Sequence, residues 1–119
     1  MKLKLLRKLK RWEIKVPIFE SEIELVVADD IDKIDDYVSD TFNVDLDKRG
    51  PAVGRTYLLP SNLIIAGFTL DCDEWTIIHE CGHIIWSIKY IIGFDDEETF
   101  CYLLEWVTKQ VMLRVRSND

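Results

Sequence analysis

Five consecutive residues, His79-Glu80-Cys81-Gly82-His83, hold both histidines of a 119-residue chain. Two imidazoles four positions apart on a helix stand one turn above each other. They can converge on one metal ion with bonds of about 2.0–2.1 Å. Glu80 lies about 100° round the helix from His79, where its carboxylate can reach a water beside the ion without being a ligand. That is the placing of a general base in a zinc hydrolase. The plain alternative is a buried helix with two polar spots, each hydrogen-bonded to neighbouring backbone or carboxylates. Against it stands a cost: the surrounding helix is apolar on nearly every other side. Burying two imidazoles and a carboxylate there without partners would cost several kcal/mol.

Because the chain has no further histidine, a third metal ligand has to be a carboxylate, a cysteine or water. The nearest acids downstream are Asp95, Asp96, Glu97, Glu98 and Glu105. Two histidines and a glutamate, with water in the fourth position, make a known catalytic zinc set. Cys72, Cys81 and Cys101 are an odd number with no CxxC spacing, which argues against a disulfide framework or a thiolate zinc knuckle. They are expected to be reduced, buried, small hydrophobes.

The elements that must position these groups follow from periodicity. In RWEIKVPIF the apolar Trp12, Ile14, Val16 and Ile18 alternate with Glu13, Lys15 and Pro17, and in SEIELVV Ile23, Leu25 and Val27 alternate with Glu22 and Glu24. This predicts a hairpin around Glu20-Ser21, with Pro17 marking an edge strand. A helix follows, capped by Asp29 or Asp30, with Ile31, Ile34, Val38 and Phe42 on one face. RTYLL and NLIIAGF flank Pro60-Ser61-Asn62 and read as a second hairpin. A helix over about 73–92, ended by Gly93, carries the two histidines; Ile77, Ile78, Cys81, Ile84, Ile85, Ile88 and Ile92 share one sector, and His79, His83, Trp86 and Tyr90 another. A last helix over about 96–115 is expected to bury Phe100, Leu103, Leu104, Val107 and Val111. The order ββα, ββ, αα makes an α+β domain, with a small, mostly antiparallel sheet of about four strands.

Size and charge narrow the function classes. At 14.0 kDa, with 48% hydrophobic residues, residues 1–119 fit one domain with a packed core. No apolar run approaches the roughly 20 residues of a membrane span, and the start lacks a secretory signal, so a cytoplasmic location is expected. The net charge of −7 disfavours nucleic acid as a general partner. It is unevenly spread, however: seven basic residues against Glu13 alone give the first 15 residues +6 and leave −13 on the rest. Residues 1–11 thus form a basic arm, with Leu3, Leu6 and Leu9 interleaved. Solvation, docking on its own body, or contact with anionic lipid or nucleic acid all suit such an arm.

His79-Glu80-x-x-His83 followed by a glutamate on the next helix resembles the gluzincin plan. GFDDEETFCYLLEW resembles the segment after that motif in short zincin-like, metallopeptidase-like proteins of tailed phages and mobile elements. There a glycine ends the active-site helix and a Glu-x-x-x-Tyr-Leu-x-x-aromatic stretch opens the next, matched here by Gly93, Glu98, Tyr102, Leu103 and Trp106. The resemblance covers about 75–107. It implies a minimal zincin-like domain in which His79, His83 and Glu98 hold Zn2+, Glu80 is the catalytic base, and Tyr102 is an oxyanion group, a support behind the ligands, or a half-buried core tyrosine. One departure is spacing: only 14 residues separate His83 from Glu98. A tight antiparallel return would put Glu105 level with the histidines instead.

Two functions compete on this reading. One is a zinc metallopeptidase that cuts a peptide held against an edge strand drawn from residues 55–68. The other is a protein-binding module, a phage or mobile-element effector or inhibitor, that uses the same scaffold without catalysis.

Overall fold

The computed structural model describes residues 9–17, 21–46 and 50–116. Strand β1 (Lys10–Val16) pairs antiparallel with β2 (Ser21–Ala28), so the first expected hairpin is present. Residues 18–20 of its turn and residues 1–8 of the basic arm lie outside the described residues. The last residues assigned to that arm, Lys10 and Arg11, belong to β1. Arg11 Nη2 donates to Glu24 Oε1 at 2.6 Å and to Glu13 Oε1 at 3.1 Å.

Helix α1 (Ile31–Phe42) follows β2 and is capped by Asp30, whose side chain accepts from the Lys33 N–H. Strands β3 (Gly54–Leu58) and β4 (Ile64–Thr69) form the second antiparallel hairpin. The sheet order is β1-β2-β4-β3, and the central β2–β4 pairing is parallel. The sheet is therefore mixed: two of its three pairings are antiparallel, as the mostly antiparallel expectation had it, and the central one is parallel. The return is made by β3, which starts level with the end of β2 and runs the other way, so that β4 begins at the opposite end and lies beside β2 in the same direction. Both β2 and β4 are then covered on two faces. From Ile23 to Ala28 and from Ile64 to Thr69 every residue is buried, Glu24 included.

One face packs on α1 through Val26, Ile34, Val38, Tyr57 and Ile65. The other packs on α2 (Glu74–Ile92) and α3 (Glu97–Val115) through Leu25, Phe68, Ile77, Ile84, Leu103 and Val107. Asp73 caps α2 by accepting from the Thr76 N–H, and Gly93 ends it at φ 85°, a left-handed conformation that glycine adopts without penalty. Asp96 caps α3 through the Thr99 N–H. Arg116, just past α3, acts electrostatically on Cys72 and Asp73 at the start of α2, and Thr108 lies beside Cys81. The two helices are thus an antiparallel pair, with Thr108 near Cys81 and the end of α3 near the start of α2.

Two expectations about burial are corrected. Phe100, in the first turn of α3, is exposed, and Ile78 and Ile92 of the apolar sector of α2 are exposed as well. Cys72 and Cys81 are buried thiols as expected, but Cys101 is exposed. Among the described residues no helix is long and apolar enough to cross a membrane.

Candidate functional site

Helix α2 turns two different faces outward and inward at the five-residue motif. Ile77, Cys81, Ile84, Ile85 and Ile88 go into the core, whereas His79, His83, Trp86 and Tyr90 are exposed along one stripe. At the border between the faces sits Glu80, only 7% exposed.

The imidazoles point at each other, with His79 Nε2 and His83 Nε2 3.2 Å apart. Two nitrogen ligands on a tetrahedral zinc, with bonds of 2.0–2.1 Å, stand roughly 3.3 Å apart. The pair is therefore already at ligand spacing.

Glu80 is wedged between α2 and β3. Thr56 Oγ1 donates to Glu80 Oε1 at 2.7 Å and lies 3.3 Å from the Glu80 carbonyl. Among the described residues no lysine or arginine forms an ion pair with this carboxylate. A buried carboxylate with one hydroxyl donor is costly unless a positive charge stands near it. The open side of the histidine pair is where such a charge would act. Gly54 lets the strand come this close: a Cβ there would meet Thr76 Cγ2 at 2.6 Å and Glu80 Cγ at 3.1 Å. Farther along α2, Ser87 Oγ donates to the His83 carbonyl at 3.0 Å and stiffens that turn.

The edge strand expected from residues 55–68 is β3, which has β4 on one side only. Its free groups follow from the ladder. The Val53 carbonyl accepts from the Thr69 N–H, and the Leu59 N–H donates to the Leu63 carbonyl, so odd-numbered residues bond inward to β4. Gly54, Thr56 and Leu58 then turn their N–H and C=O groups to the open edge. Between that edge and α2 runs a groove of about 300 Å³ past Thr56, His79, Glu80 and His83. A second hollow of about 420 Å³ continues from Gly54 and His79 towards Trp75.

The remaining expected ligand is not brought to the pair. Glu98 lies in the first turn of α3 and is exposed. In the helix register given by Cys81 and Thr108 it is level with Ile91, eight residues beyond His83, or about 12 Å along the axis. Glu105 is level with Ile84 and lines a groove with Ile78 on the α3 flank of α2. Among the described residues no cluster of three His, Cys, Asp or Glu side chains is poised around one ion position. Tyr102 is 43% exposed, so it is not a core tyrosine. Thr56 and Gly54 were invisible to sequence reasoning, since nothing in GRTYL marks a strand residue as the neighbour of a helical glutamate 24 positions later. Only the alternation of β3, which puts even residues towards α2, offered a clue.

Comparison with protein-family models, with curated proteins and with solved structures finds no match for this chain.

Proposed function

We propose that the chain is a minimal zinc-dependent hydrolase of the zincin type that cuts a peptide bond in an extended segment. The observation that carries this reading is the 3.2 Å approach of the two Nε2 atoms beside a buried glutamate and an open strand edge. His79 and His83 would hold the metal. Zinc, when bound, supplies a Lewis acid and lowers the pKa of a water to about 7. The rest falls to the chain's own groups. Thr56 fixes one oxygen of Glu80, which leaves the other to take a proton from water and return it to the departing amine. The N–H and C=O groups of Gly54, Thr56 and Leu58 hold the peptide as an added strand.

Two carboxylates of α3 compete for the third position, Glu98 by the family pattern and Glu105 by its level on the helix. Zinc per chain in Glu98→Ala and Glu105→Ala decides between them, loss marking the ligand. The chemistry is tested by Glu80→Gln, which keeps size and hydrogen bonding but removes the base. It is expected to bind zinc like the parent and to hydrolyse an unfolded protein substrate at least about 10²-fold more slowly. His79→Ala is expected to lose both zinc and activity. Equal hydrolysis by Glu80→Gln and the parent would sink the assignment.

A second reading, a protein-binding module on the same scaffold, is favoured by the lack of a third poised ligand among the described residues. It predicts that Glu80→Gln retains its full cellular effect.

A further inference from the structure

Two exposed tryptophans stand on the histidine stripe, Trp75 at 78% and Trp86 at 67% exposure. They stand towards opposite ends of β3. Trp86 and Leu58 line the groove beyond His83, and Trp75 and Val53 line the hollow before His79. Val53 and Leu58 are each 40% exposed. Lys89 Nζ lies 5.2 Å from the Trp86 ring centre, a cation–π contact that limits how far that indole can swing. Large apolar side chains left in water on both sides of a polar centre mark a surface that something apolar covers.

The spacing says what shape that occupant has. Trp75 to Trp86 is eleven residues of helix, about 16 Å. Gly54 to Leu58, the first and last residues of β3 that face α2, is four residues of strand, about 13 Å. Helix and strand therefore run side by side with an apolar clamp at each end, and the His79–Glu80–His83 centre lies between them. An extended chain bonded to the free groups of Gly54, Thr56 and Leu58 turns every second side chain towards α2, so two that reach the two ends of this stretch are four residues apart.

We infer that the groove selects extended peptides carrying two large apolar side chains four residues apart, both turned towards α2, one held by Trp75 and the other by Trp86 and Leu58. The bond to be cut then falls in the polar stretch between them. This rests on the peptide-hydrolase reading of the same groove, and it adds the side chains that the substrate must present. A globular partner or a second copy would fit the exposed indoles, but neither requires the open backbone groups that run between them.

The test uses zinc-loaded full-length Glu80→Gln and four capped pentapeptides: acetyl-Leu-Ala-Gly-Ala-Leu-amide and its versions with serine at the first, the last or both leucines. Affinity is read by calorimetry. Burial of one leucine is expected to tighten binding about 10-fold, so the double-leucine peptide should exceed the double-serine peptide by about 100-fold. Trp75→Ala should erase the gain at one end and Trp86→Ala the gain at the other, with Trp→Phe at each position restoring most of it and zinc per chain unchanged throughout. Equal affinity for all four peptides would overturn the inference. So would light scattering that shows a stable dimer whose tryptophan emission marks both indoles as buried. End preference in Glu80→Gln without any cleavage by the parent chain would uphold the docking and defeat the hydrolase reading. Cleavage by the parent with no end preference would do the reverse.

Discussion

A methyl group at position 54 would lie 2.6 Å from Thr76 Cγ2 and 3.1 Å from Glu80 Cγ, both inside normal contact. One missing side chain thus sets how closely β3 approaches α2, and with it the 2.7 Å bond from Thr56 to Glu80. Gly54→Ala is expected to push the strand or the glutamate aside, costing about 1–3 kcal/mol of overpacking. The imidazoles do not share that contact. Zinc per chain should therefore stay at the parental level while the melting temperature falls, and peptide hydrolysis should fall about 10-fold or more with the misplaced base. Parental hydrolysis and melting in Gly54→Ala would show that the strand has slack and that Glu80 is positioned by α2 alone.

At the scale of elements, the helix ends give a pH signature. Asp73 is held below its ordinary value near 3.8 by the Thr76 N–H and then by the Thr76 hydroxyl; Asp96 is held below the same value by the Thr99 hydroxyl and then by the Thr99 N–H. A carboxyl whose value is lowered by folding contributes in full above its ordinary value, and the contribution fades as pH falls through the lowered one. Asp73→Asn with Asp96→Asn keeps cap acceptors but removes both titrations. This variant should melt lower than the parent at pH 7 and lose less on acidification from about pH 4 to pH 2; parallel curves would refute the role of the caps. The two helix starts, near 73 and 96, were legible in the sequence, as was Gly93, because helix ends are decided by residues within one turn. The parallel β2–β4 pairing was not, since a two-residue alternation carries no strand direction. Nor was the place of Glu98: its fit to the family pattern is local, whereas its distance from His83 is set by how far α2 runs before Gly93. The 19-residue length of α2 carries the turn well past the histidines. Phe100 misled for a related reason, since helical periodicity assigns a face but not whether a neighbour reaches the end of it.

Across the whole molecule, β3 is gripped from both faces of the sheet, and only one grip belongs to the site. Towards α2 the strand presents Gly54, Thr56 and Leu58. Towards α1 it presents Arg55 and Tyr57, whose guanidinium and hydroxyl both donate to the buried carboxylate of Asp35, at 2.6 Å and 2.5 Å. Arg55 also donates to the Gly50 carbonyl at 2.9 Å, which ties the loop before β3 to the same cluster. The edge strand that borders the histidine groove is thus anchored by an ion pair on the far side of the sheet. Breaking one member of a buried pair leaves the other charged and unpartnered, a loss of about 3–5 kcal/mol. That is a large part of the 5–15 kcal/mol by which a domain is typically stable. Asp35→Leu should lower the unfolding free energy by that amount, and Arg55→Met by a comparable one. The double variant, which removes both charges and keeps apolar volume, should recover much of the loss. Peptide affinity in the double variant separates anchoring from mere stability. If Asp35 and Arg55 hold β3 in register for strand addition, the recovered protein will be stable and zinc-competent yet bind the double-leucine peptide at least several-fold more weakly than the parent. Recovery of stability and affinity together would mean that packing on α1, through Ile34, Val38 and Tyr57, holds the strand by itself.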